Sequence, residues 1–215
     1  MIKTFAKISK SAYSGVFEHK VLHTINTKGI QAYILEVGET IVVVFRGTDE
    51  PKDWVNNLQA SFVNTSYGKM HKGFKKAWDL IARELRDNIP TDKNIYFTGH
   101  SYGGALAFIS GLYIPHAAVV TYGCPMVLHK NPPPYARGNH IRVRNNNDIV
   151  TQVPKIGYAH LGELVYLDYN GKAWTKINFF DKVKSHLKAW SKGQKFNPFY
   201  DHDIDEYIKK LWVTT

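Results

Sequence analysis

The chain has one cysteine, Cys124, so no disulfide can form within it, and a lone thiol is the usage of a reducing compartment. It also lacks any stretch near the roughly 18 consecutive apolar residues that a membrane-spanning helix needs. The N-terminal MIKTFAKISKSAYSG is basic, but its apolar runs break before reaching the length of a signal-peptide core, so it reads as part of the folded domain. Together these absences predict a cytoplasmic protein. There is no internal repeat, no low-complexity tract and no run of five or more like charges. Zinc-ligand spacing, a phosphate-binding glycine loop and an RNA-binding aromatic motif are missing too, so nucleic acid has no support as a partner and no cofactor or metal is expected. The oxygen-rich run Asp201-His202-Asp203-Ile204-Asp205 lacks the glycine turn of a calcium loop, and its acids suit the start of a helix.

What remains is a chain of 215 residues with 44% hydrophobic and 13% aromatic content, enough for one core and a single domain over residues 1–215. Lysine and arginine number 28 against 18 acidic residues, a formal net charge of +10. Such an excess attracts anionic partners, a phospholipid surface among them, although scattered lysines also serve plain solubility.

The hydrophobic pattern changes along the chain. Residues 2–13 read as an amphipathic helix with Ile2, Phe5, Ala6 and Ile8 inward. Three β-prone runs, 16–25, 30–37 and 40–46, are separated by short turn-rich gaps that suit antiparallel neighbours. Alternation follows: a helix over 71–89 ended by Pro90, a strand over 94–98, a helix over 102–113 and a strand over 117–122. The Pro132-Pro133-Pro134 run makes a surface loop. A strand over 140–144, a hairpin across 164–179 and helices near 180–191 and 202–212 complete the chain. Antiparallel strands followed by βαβ units predict an α/β fold, a mixed sheet covered by helices.

Gly99-His100-Ser101-Tyr102-Gly103 has the form G-x-S-x-G and lies between the strand at 94–98 and the helix at 102–113. There a serine sits on a sharp strand-to-helix turn, and the glycines omit side chains that would collide with it. A nucleophilic serine needs a base and a carboxylate to orient that base, in the chain order Ser, Asp or Glu, His on sheets of this kind. Asp148 is preferred because Asn145-Asn146-Asn147 carries it past the end of a strand, where such sheets keep their sites. Asp168, inside a predicted strand, and Asp181, at a predicted helix N-cap, are the alternatives. For the base, His202 lies on the loop Asn197–His202 before the last helix, with His160 and His186 also downstream of the acid.

The segments Val44-Phe45-Arg46-Gly47-Thr48, Met70-His71-Lys72-Gly73-Phe74, Gly99 to Ala107, Thr121-Tyr122-Gly123-Cys124-Pro125, Arg144 to Val150, and Asp201-His202 with Tyr207 follow one another in this order. Taken together they resemble the class 3 lipases, an α/β-hydrolase family that includes fungal triacylglycerol lipases, feruloyl esterases and plant phospholipase A1 enzymes. The resemblance implies an α/β-hydrolase with a mostly parallel sheet, flanking helices and a short lid helix. Ser101, Asp148 and His202 are then the triad, and Thr48 and Tyr102 the oxyanion hole. It also aligns residues 49–58 with the lid, with Trp54, Val55 and Leu58 on one face of a helix that Pro51 starts. The implied activity is serine-dependent hydrolysis of carboxylic esters, of acylglycerols or phospholipids, without a cofactor and with peripheral contact to anionic membranes. Asn56 and Asn57 widen the polar face of the lid, which keeps an esterase of soluble substrates as an alternative. A module binding anionic membranes, its triad vestigial, is the alternative from another class.

Overall fold

The computed structural model describes residues 1–58, 61–191 and 199–213. Helix α1 (Ile2–Ser14) buries Phe5, Ala6, Ile8 and Ala12, and Gly15 ends it in the left-handed conformation. Strands β1 (Lys20–Thr27), β2 (Ile30–Val37) and β3 (Thr40–Phe45) then pair antiparallel. The short helix α2 (Pro51–Asn57), strands β4 (Phe62–Thr65) and β5 (Gly68–His71) and helix α3 (Lys72–Asn88) follow. Next comes a βαβ unit: β6 (Asn94–His100), α4 (Tyr102–Tyr113) and β7 (Ala118–Tyr122). The remaining elements are β8 (Leu128–His129), β9 (His140–Asn145), β10 (Tyr158–Ala159), β11 (Glu163–Leu167), β12 (Ala173–Trp174), α5 (Phe179–Ser191) and α6 (Ile204–Val213).

The main sheet has the order β1-β2-β3-β6-β7-β9-β11-β12. Its central strands, β3 to β11 in that order, are parallel, and antiparallel pairs finish both edges. Residue alternation along β3 divides the core. Ile41, Val43 and Phe45 join Phe74, Trp78, Ile81 and Leu106 on the side of α3 and α4, while Val42 and Val44 join Phe5, Ala12, Tyr207 and Leu211 on the side of α1 and α6. All five residues of β7 are buried, as expected of a strand covered on both faces. Helix α4 lies close to the sheet because its N-terminal residues are small: a Cβ on Gly103 would overlap the Phe45 carbonyl oxygen.

Three expectations are corrected. Strand β1 starts at Lys20 rather than Val16, because the chain turns away after Gly15 and Val16 is 72% exposed. The hairpin across 164–179 is shorter than expected: β11 pairs parallel with β9 on one side and with only Ala173–Trp174 on the other. Asn178, not Asp181, caps α5, its Oδ1 accepting from the Asp181 N–H at 2.8 Å. A second sheet, β10-β8-β5-β4, has no counterpart in the sequence reading. Two of its strands are two residues long, too short for any periodicity, and residues 68–71 directly precede a strongly helical segment. Asn197 and Pro198, expected in the loop before α6, lie outside the described residues.

The parallel strands bring four segments to one edge. β3 leads to Thr48, β6 to Ser101, β7 to Gly123 and β9 to Asp148, all at the carboxyl ends where open α/β sheets hold their ligands.

Candidate active site

Ser101 occupies the turn between β6 and α4 at φ 58° and ψ −127°, a conformation costing on the order of 1–3 kcal/mol for a residue with a Cβ. Its surroundings hold it there. The Ser101 N–H donates to the Tyr122 carbonyl at 2.9 Å, and the Ser101 carbonyl accepts from the Gly104 N–H at 2.9 Å. A Cβ on Gly99 would overlap the Gly103 carbonyl, so only glycine fits that side of the turn. The Ser101 Oγ is buried, with no hydrogen-bond partner among the described residues.

Asp148 is fully buried on the loop that follows β9. One of its oxygens, Oδ1, accepts from the Val150 N–H at 2.9 Å, and Oδ2 accepts from the Tyr207 hydroxyl at 2.5 Å. The His202 Nδ1 lies 3.0 Å and 2.9 Å from the two oxygens. A carboxylate only accepts, so Nδ1 carries the imidazole proton and Nε2 presents its lone pair. That Nε2, like the Ser101 Oγ, is buried without a hydrogen-bond partner among the described residues. Gly123, at φ 58°, makes room for this pair, since a Cβ there would come within 2.8 Å of both Asp148 Oδ2 and His202 Nδ1.

The loops bearing Asp148 and His202 are clasped together by contacts between distant segments. Asp201 Oδ2 accepts from Asn146 Nδ2 at 3.2 Å and from the Asn147 N–H at 3.1 Å, while the Asp201 carbonyl accepts from Asn145 Nδ2 at 2.9 Å. The Lys210 Nζ donates to Asn145 Oδ1 at 2.6 Å and reaches Asp201 Oδ1 at 3.4 Å. The asparagine run is therefore a fastening, not merely a polar turn. In the sequence His100 stands out only as a member of the G-x-S-x-G motif. Its Nε2–H donates to the His202 carbonyl at 2.7 Å, its Nδ1 accepts from the Tyr13 hydroxyl at 2.7 Å, and its ring lies 4.5 Å from that of His202. Burial, reinforced by neighbouring His202, pushes the His100 pKa well below the ordinary imidazole value and keeps it neutral. Tyr207 was visible in sequence only as part of a motif block, and its hydroxyl is pushed well above the usual phenol range by burial and by Asp148.

Thr48 follows β3, and its Oγ1 accepts from the Glu50 N–H at 3.2 Å, leaving the hydroxyl proton to donate elsewhere. It borders two clefts. One, of about 980 Å³, is also lined by Trp54, Leu58, Phe74 and Tyr102, and the other, of about 560 Å³, by Tyr13, Pro51, His100 and His202. Helix α2 lies over the first, with Trp54 against the rings of Phe74 (5.6 Å) and Tyr102 (6.1 Å). Trp54, Val55 and Leu58 are half-buried, whereas Asn56 and Asn57 are exposed.

The alternative residues are engaged elsewhere. Asp168 lies just beyond β11 and closes a turn, accepting from the N–H groups of Asn170 and Lys172 and from Trp174 Nε1. Asp181 lies in the first turn of α5. His160 Nε2 meets the Thr151 carbonyl at 2.6 Å, and His186 Nε2 the Tyr166 hydroxyl at 3.5 Å. Asp205 pairs with Lys10, and Asp203 accepts from the Asp205 N–H. Among the described residues no group of three or more His, Cys, Asp or Glu side chains is placed to hold a metal ion.

The family model for lipase (class 3) matches residues 42–158. A secreted mono- and diacylglycerol lipase 1 of Fusarium solani is 30% identical over 166 residues, 67% of this chain and 50% of the relative. A lipase of Rhizomucor miehei is 30% identical over 165 residues, 65% of this chain and 45% of the relative. The chain thus spans about half the length of the curated relatives it matches. A solved structure of the Rhizomucor miehei triacylglyceride lipase superimposes with a TM-score of 0.73 at 20% identity, covering 94% of this chain and 91% of that one. The fold is that of an α/β-hydrolase. The cytoplasmic expectation is overturned, because it rested on one cysteine and a missing leader pattern while the Fusarium relative is a secreted enzyme. No described helix is long and apolar enough to cross a membrane.

Proposed function

Because the chain belongs to the class 3 lipase family, we propose that residues 1–215 act as one α/β-hydrolase domain that hydrolyses the carboxylic esters of acylglycerols or phospholipids through an acyl-enzyme on Ser101. The observation that carries this reading is a pair of buried atoms with no hydrogen-bond partner among the described residues, Ser101 Oγ and His202 Nε2, together with an Asp148 carboxylate fixed on the far side of the imidazole. Buried polar atoms normally find partners, and those that do not call for a functional reason.

His202 Nε2 takes the Ser101 hydroxyl proton as Oγ attacks the ester carbonyl carbon, and Asp148 stabilises the imidazolium that forms. The backbone N–H of Tyr102, with the N–H and hydroxyl of Thr48, receives the negative charge that develops on the carbonyl oxygen. When the tetrahedral intermediate collapses, His202 returns the proton to the departing alcohol. Water then enters by the same route, releasing the fatty acid and restoring the Ser101 hydroxyl. Helix α2, through Trp54, Val55 and Leu58, covers the larger cleft as a lid. That cleft is bordered by Lys28, Lys72 and Lys76, all exposed, which favours esters carried on anionic aggregates.

An esterase of soluble substrates is the second reading, favoured by the exposed Asn56 and Asn57, which give α2 little apolar surface to turn toward lipid. A substrate panel separates them: a short-chain p-nitrophenyl ester, emulsified triglyceride and anionic phospholipid vesicles. The lipase reading expects a rise in rate above the substrate's aggregation point. The esterase reading expects smooth saturation through it, and no turnover of any ester would leave only a vestigial membrane-binding module.

A further inference from the structure

Helix α5 carries its apolar residues on the wrong side for a helix that only covers a core. Its protein-facing residues are small: Ser185 and Ala189 are each 6% exposed. The large ones look outward, with Phe180 73%, Val183 37%, Leu187 56% and Trp190 70% exposed. At about 100° per residue these four fall within an arc of about 80°, centred opposite Ser185 and Ala189. Lys184 lies nearest the stripe, about 40° past Phe180, Lys188 and Lys182 lie about 80° beyond its two edges, and Asp181 is the sole acid of the helix. The stripe runs for about 15 Å, taking 1.5 Å per residue.

We propose that α5 is a docking helix for an anionic lipid surface, inserting Val183, Leu187 and Trp190 among the acyl chains while its lysines meet the head groups. An amphipathic helix rich in lysine on its polar flank, with tryptophan and leucine on its apolar one, has the composition that lies in a membrane interface. Charge decides between occupants. A second copy would bring two lysine-rich helices of chains with net charge +10 together, whereas an anionic surface neutralises them. The helix is also tied to the reaction centre: the Ser185 hydroxyl donates to Asn146 Oδ1 at 3.0 Å, and Asn146 lies two residues before Asp148. Helix α5 is therefore fastened to the loop that carries Asp148. The proposal rests on the lipid-hydrolase reading for its purpose, and on the helix alone for its binding.

The test uses vesicles of ether-linked phosphatidylglycerol, which contain no ester to cleave, with ether-linked phosphatidylcholine vesicles as the neutral control. The whole protein is expected to co-sediment with the anionic vesicles, less so as salt rises, and weakly with the neutral ones. The double variant Leu187→Glu/Trp190→Glu should lose about ten-fold or more in vesicle affinity while turning over a short soluble p-nitrophenyl ester as before. A second variant, Leu187→Cys, can be labelled with an environment-sensitive NBD dye, because Cys124 is buried and its thiol is pushed up to about 12. Its emission should shift to the blue when anionic vesicles are added. Undiminished vesicle binding by the double variant overturns the proposal, as does an unshifted NBD signal on vesicle-bound protein. So does a wild-type dimer in gel filtration that the double variant abolishes, since the stripe would then be a self-contact. Vesicle binding through α5 without hydrolysis of any ester would remove the hydrolase reading alone. Ester hydrolysis without vesicle binding would remove the docking helix alone.

Discussion

His100 holds His202 by its backbone: the His100 Nε2–H donates to the His202 carbonyl at 2.7 Å, and the Tyr13 hydroxyl fixes the other nitrogen of the His100 ring. Under the proposed mechanism the residue before the serine in the G-x-S-x-G motif positions the base, and α1 supplies Tyr13 to hold it. Replacing His100 by Leu keeps the bulk and removes the donor. kcat should fall by roughly 10 to 100-fold with KM little changed, the scale expected when a catalytic group is displaced by a fraction of an ångström. His100→Gln, which can still offer an N–H near the Nε2 position, should recover most of the rate. Equal losses in both variants, with folding intact by circular dichroism, would mean that the ring acts only as filler.

Thr48 is tested by two substitutions. Thr48→Val keeps the backbone donor and the branched shape but removes the hydroxyl, so kcat should drop by roughly 10² to 10³, as for a lost oxyanion donor. The same change also removes the acceptor for the Glu50 N–H. Thr48→Ser retains both functions and should stay near wild type. If valine and serine behave alike in steady-state kinetics, the hydroxyl belongs to the turn.

Gly123 backs Asp148 and His202. With φ at 58° and a Cβ only 2.8 Å from Asp148 Oδ2 and His202 Nδ1, Gly123→Ala should lower stability by about 1–3 kcal/mol through strain at that position and lower kcat as well. Urea denaturation and turnover of a soluble ester read the two effects, and a fully active alanine variant would show that the Asp148–His202 pair tolerates displacement.

Stability should decline below neutral pH. His160 is held neutral by burial, aided by the nearby Arg142 charge, with its pKa pushed down to about 3, while in the unfolded chain it titrates near 6.5. Between those values the unfolded state binds the proton and the folded state does not, so the contribution is complete above about pH 6.5 and lost as pH falls toward 3. His100 and His140 are displaced the same way by burial. Each adds up to about 1.4 kcal/mol per pH unit. Denaturation midpoints measured from pH 7.5 to 4.5 should fall, and His160→Gln should flatten the slope by about one proton. An unchanged slope in that variant would exclude His160 as a source.

The α/β pattern, the elbow at Ser101 and the loop bearing Asp148 have local signatures in the sequence, a strand-to-helix switch around a glycine pair and a polar loop after an apolar strand, whereas His202 stands out from His160 and His186 only through the family resemblance. What stayed hidden depends on contacts between distant segments. The Tyr13–His100–His202 chain joins residues far apart in sequence, and the asparagine run gave no sign that Asp201 and Lys210 would clasp it. Two-residue strands such as β8 and β10 exist only through their partners. The stripe on α5 could have been read from its spacing alone. A helical pattern says which residues share a face, but not whether that face looks inward.

The central claim is that Ser101 is the nucleophile that His202 activates. Intact-protein and peptide mass spectrometry after exposure to a fluorophosphonate, which forms a stable adduct only with an activated serine, tests it most directly. One adduct per chain on the peptide containing Ser101, absent in Ser101→Ala and slowed by orders of magnitude in His202→Ala, is the expected result. An adduct on another residue, or ester turnover surviving in a folded Ser101→Ala protein, would contradict it.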